Sequence, residues 1–210
     1  MTEISKQVAE VTRTVSDREV EGRAVKAITL ARVYRTHIDD LWEAVTEVDR
    51  IPRWLGPISG DLHLGGRFQI ENNASGTITA CDPPHSFDAT WEFGGATSWI
   101  EVRLTAVDDA HTRAELTHLA HPDEHWEQFG PGAGGIGWDL ALLGLFLHLD
   151  SDEDRPDDAD EWMAGPEGVA FIVDSGRAWG EADVAGGEDP DVARAAMERT
   201  LAAYTQPAEE

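Results

Sequence analysis

The sequence has few of the residues on which several classes of protein depend. Its single cysteine, Cys81, has no partner for an internal disulfide and no pair for a cysteine-based metal site. Lysine occurs only as Lys6 and Lys26, while aspartate and glutamate total 41. The formal net charge of −25 repels nucleic acid and anionic membranes at long range. We therefore expect neither a nucleic-acid partner nor a membrane partner.

Several functional segments are also missing. Residues 1–20 alternate polar and charged and have no apolar signal-peptide centre, so we expect a cytoplasmic protein. The chain has no nucleophile elbow, no phosphate loop and no dinucleotide fingerprint, and we expect no cofactor. The glycine-rich stretch 130–137 follows no plausible Rossmann strand, and we interpret it as a hinge. Cys81 has no basic neighbour to lower its pKa, which predicts an unreactive, buried or half-buried thiol.

The most apolar stretch of the chain runs from Gly132 to Leu149. Beyond Ile136 only Asp139 and His148 are ionisable, and the leucines and alanines between them are strong helix formers. A helix that is apolar on nearly all sides must be covered on nearly all sides, which predicts a core helix. The run is shorter than the roughly 20 residues that cross a bilayer. We interpret Asp139 as a first-turn capping or dipole residue.

The chain before this helix reads as strands with one short helix. Thr14–Asp17 and Arg23–Tyr34 predict a hairpin, and His37–Thr46 has the spacing of an amphipathic helix. From Asp61 onward, short apolar runs alternate with turn residues, which predicts an antiparallel meander of four or five strands. These elements predict an α+β fold in which a curved antiparallel sheet grips the long helix, with a cavity between them.

The part of the chain after the central helix has a different character. Ser151–Asp160 is acidic and contains proline, which predicts a linker. Apolar residues then return between Trp162 and Tyr204, and Asp189-Pro190 is a good helix start, so we predict two further helices. We divide the chain into a domain at 1–150 and a helical extension at 151–210. The extension covers the central helix or forms a dimer interface, so monomer and homodimer both stay open.

The order of several turn motifs resembles a known family. The motifs are Arg53-Trp54 with Gly56-Pro57, Leu64 to Phe68, Gly76 followed by Cys81 to Pro84, and Thr90-Trp91. Over Ala24 to Leu149 the sequence is similar to the START-like (SRPBCC) helix-grip proteins related to the activator of heat-shock protein 90 ATPase. The resemblance implies the helix-grip fold, and either co-chaperone-like activity or the carriage of small ligands. It implies no universal catalytic residue.

The candidate ligand-binding residues are aromatic and apolar side chains that the helix-grip arrangement places on the cavity. Aromatic walls with few polar groups suit apolar or aromatic ligands. His118 shares a strand face with Leu116 and adds a hydrogen-bonding group. The full set is Trp54, Phe68, Trp91, Ile100, His118, Trp138 and Leu142.

Three histidines near the end of the meander also have a spacing that suits a transition metal. His118, His121 and His125 are separated by Pro122, which interrupts any helix that would align them, and no cysteine joins them. We therefore predict no metal site.

Two classes of function follow from these observations. The first is non-catalytic: the domain binds a small hydrophobic or aromatic ligand, or acts on a chaperone partner. The alternative is an enzyme of the cyclase or hydratase kind, in which His118 or Asp139 moves a proton in the same cavity. We assign no catalytic residue at this stage. The acidity is compatible with a salt-rich host as well as a GC-rich genome.

Overall fold

A computed structural model describes residues 3–151 and 159–205. The strands are β1 Thr12–Val20, β2 Arg23–Tyr34, β3 Ile58–Gly60, β4 Arg67–Ile70, β5 Ser75–Asp82, β6 Ser86–Phe93, β7 Ala96–Asp108 and β8 His111–Ala120. The helices are α1 Glu3–Ala9, α2 Ile38–Thr46, α3 Glu124–Phe129, α4 Gly132–Ser151, α5 Ala159–Ala164, α6 Pro166–Ala185 and α7 Pro190–Thr205, with a 3-10 turn at Ile51–Arg53. The hairpin, the short helix, the meander and the long helix follow one another as the sequence predicts, whereas α1, β3 and α3 were not predicted.

The eight strands form one curved antiparallel sheet in the order β1-β2-β8-β7-β6-β5-β4-β3. The hairpin between β1 and β2 turns at Glu21 and Gly22, which both have positive φ, as tight hairpin turns require. From β3 to β8 each strand pairs with the next strand in the chain. The predicted fold class, α+β with a helix-grip sheet, is confirmed.

The chain divides into two compact units. Unit 1 comprises Met1–Leu30, His121–Leu140 and Pro156–Glu210. Unit 2 comprises Ala31–Ala120 and Ala141–Arg155. The division passes through β2 and through the middle of α4, whereas the sequence suggested a boundary near residue 150.

The glycine-rich stretch before the central helix is not a hinge, because α4 already begins at Gly132. These glycines are sites of close helix packing within unit 1. A Cβ atom on Gly135 would lie 2.2 Å from Cε2 of Trp179, and one on Gly132 would lie 3.3 Å from Cγ2 of Thr200. Glycine is therefore needed here for its small size, which lets α6 and α7 approach the start of α4.

Helix α4 has 20 residues and is longer than the sequence suggested. By length and composition alone it could cross a bilayer, with a mean hydropathy of 1.3 over Gly132–Asp150, but half of that stretch is buried inside the protein. Asp139, near its middle, is 1% exposed. These features are those of a core helix, as predicted from its all-round hydrophobicity.

Residues 159–205 contain three helices, α5, α6 and α7, rather than the predicted two. Most of the predicted linker at Ser151–Asp160 lies outside the described residues. Asp189 caps α7 as expected, accepting hydrogen bonds from the backbone N–H groups of Asp191 and Val192. Within unit 1 the Tyr204 hydroxyl donates to the carbonyl of Ala133, 2.8 Å away. Helices α6 and α7 therefore cover the first half of α4.

The core of unit 2 lies between the sheet, α2 and the second half of α4. Ile38, Leu41 and Ala44 form the buried face of α2. They pack with the following residues of β2, β7, β8 and α4: Tyr34, Val102, Leu104, Ala114 and Leu145. The Tyr34 hydroxyl donates to the carbonyl of Leu142 at 3.2 Å, which fixes α4 to β2 inside this unit.

Candidate functional site

Four of the predicted ligand-binding residues lie in one row across unit 2. Phe68 on β4 and Trp91 on β6 have ring centroids 6.3 Å apart, and Trp91 and His118 on β8 are also 6.3 Å apart. Ile100 pairs directly with His118 across β7 and β8 and with Ala89 across β6 and β7. We call Phe68, Trp91, Ile100 and His118 the aromatic row.

The row crosses β5 at Gly76, which has no side chain to separate Phe68 on β4 from Trp91 on β6. Gly76 pairs with Phe68, and a Cβ atom on it would lie 2.7 Å from Cζ of the Phe68 ring. Any side chain there would push the ring away from its neighbour. Gly76 was recognised in the sequence only as part of a family motif, and its contact with Phe68 gives that glycine a physical reason.

Buried and half-buried side chains alternate along the row. Phe68 and Ile100 are each 6% exposed, whereas Trp91 and His118 are half-buried. Aromatic rings that are partly accessible beside buried apolar side chains form the kind of wall on which flat apolar molecules bind.

A hydrogen-bonded pair forms the polar end of the row. Nε2 of His118 lies 2.8 Å from Oγ of Ser98, and that hydroxyl donates to the carbonyl of Trp91 at 3.0 Å. Burial lowers the pKa of His118 to about 4, so the imidazole is neutral at neutral pH. Ser98 was not predicted from the sequence, because a lone serine in a strand has no local signal of its role.

The remaining predicted residues are Trp54, Leu142 and Trp138. Trp54 packs against the core of unit 2, and its Nε1 donates to the carbonyl of Ala44 at 2.8 Å. The Trp54 backbone packs closely against α4 at Gly144, because a Cβ atom on Gly144 would lie only 2.5 Å from the Trp54 carbonyl oxygen. Leu142, 6% exposed, belongs to unit 2, and Trp138, 9% exposed, belongs to unit 1. Their proposed part in ligand binding stays a prediction.

The three histidines of the metal hypothesis have separate surroundings. His118 contacts Ser98, and Nδ1 of His121 lies 2.9 Å from the carbonyl oxygen of Ala24. The His125 ring stacks obliquely on Phe129 with centroids 4.9 Å apart. Within residues 3–151 and 159–205, no group of three His, Cys, Asp or Glu side chains has the geometry to hold a metal ion.

Cys81 differs from its prediction. The thiol is free and exposed, not buried or half-buried, because Cys81 lies near the end of β5, where the strand extends beyond the core.

Asp139 is neither a cap nor a dipole residue, because α4 begins seven residues earlier. Its carboxylate accepts two hydrogen bonds from Arg13, at 3.0 Å from Nε and 2.8 Å from Nη2. The Ser175 hydroxyl and Trp179 Nε1 also donate to it, at 2.5 and 2.9 Å. The Arg13 and Asp139 side chains are 5% and 0% exposed. The arrangement is a fully engaged buried ion pair that joins β1, α4 and α6 inside unit 1.

A shallow groove of about 490 Å³ lies beside this ion pair in unit 1. Its apolar lining residues come mostly from α1 and α6, and its charged members are Arg13, Asp174, Arg177 and Glu181. Arg13 is already committed to Asp139 and to the carbonyls of Val8 and Val11. The groove is therefore a surface feature of the packed helices.

A third polar cluster lies at the far end of α4 in unit 2. Nε of Arg50 donates to Nε2 of His148 at 3.1 Å, and Nη1 of Arg50 donates to Asp40 at 3.1 Å. Burial acts to raise the pKa of Asp40, but hydrogen bonds from Thr36 and Arg50 outweigh it and leave that pKa lowered. The cluster ties the start of α2 to α4 and has the character of a structural contact.

Comparison with known proteins places this arrangement in a family. The family described as activator of Hsp90 ATPase homolog 1-like protein matches residues 35–145. The solution structure of CalU16 from Micromonospora echinospora is 30% identical with a TM-score of 0.72, and the match covers 84% of this chain and 97% of that one. No curated protein matches the chain significantly.

Two more distant structures share the fold. EF2215 from Enterococcus faecalis, a conserved protein of unknown function, is 15% identical with a TM-score of 0.61. The match covers 89% of this chain and 96% of the EF2215 chain. PFC0360w from Plasmodium falciparum, an HSP90 activator, is 22% identical with a TM-score of 0.52. The match covers 62% of this chain and 99% of the PFC0360w chain. The matches to CalU16 and EF2215 cover more of the chain than residues 35–145.

Proposed function

This chain belongs to the activator of Hsp90 ATPase homolog 1-like family, and on that premise we propose that it binds a small hydrophobic or aromatic molecule at the aromatic row. The observation that carries the proposal is the contact series Phe68, Trp91 and His118 on one face of the sheet. A fold shared with proteins of several functions does not itself assign a ligand, so the proposal depends on these side chains.

The row has the composition of a binding wall. Trp91 and His118 are partly accessible, while Phe68 and Ile100 beside them are buried. Offset or edge-to-face contacts with a flat ligand contribute about 0.5 to 1.5 kcal/mol beyond the apolar area that they bury.

The protonation state of His118 favours binding over proton transfer. A general base works best when its pKa is near the working pH. Burial lowers the pKa of His118 to about 4, which makes its imidazole a weak base. Asp139, the other candidate in the enzyme hypothesis, is buried in unit 1 with four donors on its carboxylate. We therefore propose a non-catalytic role.

The test is a titration of the full chain with 2-fluoronaphthalene, followed by ¹⁹F NMR and by the indole and imidazole signals of the protein. We expect saturable binding with the largest shifts at Trp91 and His118. Trp91→Leu should weaken the binding at least about tenfold, which is what the loss of roughly 1.4 kcal/mol of contact produces. Trp126→Leu, which changes a half-buried tryptophan of unit 1, is the matched control.

The shift map of the unaltered protein gives an answer even if Trp91→Leu folds poorly. Saturable binding with shifts confined to residues outside the row contradicts the proposal, and so does the absence of binding at the solubility limit of the probe.

A second candidate is action on an Hsp90-type chaperone, which the family description favours. The HSP90 activator from Plasmodium falciparum shares the fold at 22% identity. The test is the ATP hydrolysis rate of a purified Hsp90 with and without the chain. A rate that does not change over a range of excess chain removes this candidate and leaves ligand binding unaffected.

A further inference from the structure

We propose that Phe93 is a further ligand-contacting residue of the aromatic row and covers the outer end of the bound molecule. The preferred ligand class is then aromatic molecules of two or more fused rings, because a single ring does not span both the inner part of the row and Phe93. This assignment rests on the proposed function, since it extends the same site by one residue and names the size of ligand that the site takes.

The face of β6 that carries Trp91 runs from the core of unit 2 into solvent. Side chains alternate along a strand, so Ala89, Trp91 and Phe93 lie on the same face. Ala89 is 1% exposed, Trp91 is half-buried and Phe93 is 59% exposed. Phe93 is therefore the next side chain after Trp91 on the face of the aromatic row, at the end where that face reaches solvent.

The neighbouring strand β7 becomes exposed in the same direction. Ile100 is buried, Ser98 is half-buried and Ala96 is exposed. Residues that pair directly across antiparallel strands lie on one face of the sheet, and Ala96 pairs with Phe93. The side chain of Ala96 is a single methyl group. The row is therefore open at this end, and the ring of Phe93 has a small neighbour beside it.

Phe93 is followed by a hairpin turn made of two glycines. Gly94 and Gly95 have φ of +59° and +83°, which fits a two-residue turn between Phe93 and Ala96. Apart from the adjoining residues of the chain, no atom of the described residues lies within 4 Å of a Cβ position on either glycine. Glycine has the widest range of backbone dihedral angles, and a turn without packed neighbours moves without breaking core contacts. The turn therefore lets the ring of Phe93 close over a bound molecule.

The spacing of the rings sets the size of the ligand. Trp91 and Phe93 are about 7 Å apart along β6, since a strand rises about 3.4 Å per residue. The ring centroids of Trp91 and His118 are 6.3 Å apart. Aromatic rings interact at centroid distances of about 4.5 to 7 Å. A single ring placed against Trp91 and His118 therefore leaves Phe93 uncovered, whereas a second fused ring reaches Phe93 and is covered from water.

The experiment compares 2-fluoronaphthalene with fluorobenzene on the full chain, with affinities measured by ¹⁹F NMR. Phe93→Ala should weaken the binding of 2-fluoronaphthalene about twofold to tenfold, the range for the loss of one aromatic contact, and should change the binding of fluorobenzene much less. Phe93→Trp restores an aromatic ring and should keep the affinity for 2-fluoronaphthalene. Val107→Ala, which shortens an exposed apolar side chain at the opposite end of β7, is the matched control and should bind both probes as the unaltered chain does.

Nuclear Overhauser effects between the naphthalene protons and the ring of Phe93 test the contact without any substitution, and we expect them in the complex of the unaltered chain. The urea midpoint of Phe93→Ala should stay close to that of the unaltered chain, because the ring is mostly exposed. Binding at Trp91 and His118 without these effects, or a Phe93→Ala variant that binds 2-fluoronaphthalene as tightly or loses both probes equally, overturns the inference and leaves the proposed function intact. Failure of 2-fluoronaphthalene to bind at the row overturns both.

Discussion

Removal of the Asp139 carboxylate should destabilise the protein more than any change on its surface. Asp139→Ala leaves the Arg13 guanidinium, 5% exposed, without its carboxylate partner. Breaking a buried ion pair in this way costs about 3 to 5 kcal/mol, because an uncompensated charge stays buried. The donors of Ser175 and Trp179 also lose their acceptor, at about 1 to 3 kcal/mol each. A whole domain has only about 5 to 15 kcal/mol of stability to lose.

A double-mutant cycle separates the ion pair from the rest of the network. Arg13→Met combined with Asp139→Leu replaces both charges by apolar side chains of similar size. Such replacements of a buried pair are often neutral or stabilising, so the double variant should be more stable than Asp139→Ala or Asp139→Leu alone. Some cost should remain, since the Ser175 and Trp179 donors still lack their acceptor. The coupling between the two positions should therefore be several kcal/mol.

The assay is urea unfolding followed by far-UV circular dichroism, with Arg194→Met as control because Arg194 forms an exposed ion pair with Asp191. We expect the control to change the free energy of unfolding by less than about 1 kcal/mol. A loss of less than about 1 kcal/mol in Asp139→Ala would refute the reasoning. Strict additivity of the two single substitutions would refute it equally, because residues that share a buried ion pair must couple.

The remaining predictions concern close packing and pH. Gly135→Ala places a methyl group 2.2 Å from a ring atom of Trp179, and we expect urea unfolding to show a loss of about 1 to 3 kcal/mol. The control is Gly134→Ala in the same helix, whose methyl group would lie in ordinary contact with Cδ1 of Ile28 at 3.7 Å. Equal losses in the two variants would contradict the packing argument. Burial lowers the pKa of His118 in the folded protein to about 4. Between about pH 4 and 6.5 the unfolded chain therefore binds more protons at His118 than the folded chain does. The contribution of His118 to stability falls as the pH falls through that window. Burial, then the neighbouring Glu188, raises the pKa of Asp183 to about 6, so its contribution falls as the pH rises from about 4 to 6. The two effects oppose each other. Asp183→Asn should therefore raise stability at pH 7 and steepen its loss in acid. Urea midpoints at pH 4.5 and 7 that match those of the unaltered chain would exclude this balance.

Local patterns in the sequence were sufficient for the fold class and for most of the strands. Alternating apolar residues and turn signals predicted the hairpin and the meander, because each strand buries one face and each turn needs its own residue types. The same alternation placed Phe68, Trp91 and Ile100 on a common face. These features depend on neighbours in the chain, which a sequence shows directly.

The contacts that were not predicted join residues far apart in the chain. Asp139 binds Arg13, 126 residues earlier, and Trp179, 40 residues later, so no local pattern connects them. His118 and Ser98 are 20 residues apart on different strands. The glycines at 132 and 135 show a further difficulty, because glycine is equally typical of a flexible turn and of two helices in close contact. Only the presence of Trp179 opposite Gly135 decides between them.

The discontinuous composition of unit 1 affects the order in which the chain can fold during synthesis. Unit 2 has all of its residues once Arg155 has been made, whereas unit 1 needs α7, which ends at Thr205. At about 5 to 20 residues per second, the intervening fifty or so residues take roughly 3 to 10 seconds to add. For that interval β1, the first half of β2 and the glycine-rich start of α4 lack the helices that cover them, and they are the parts of the newborn chain most exposed to premature association.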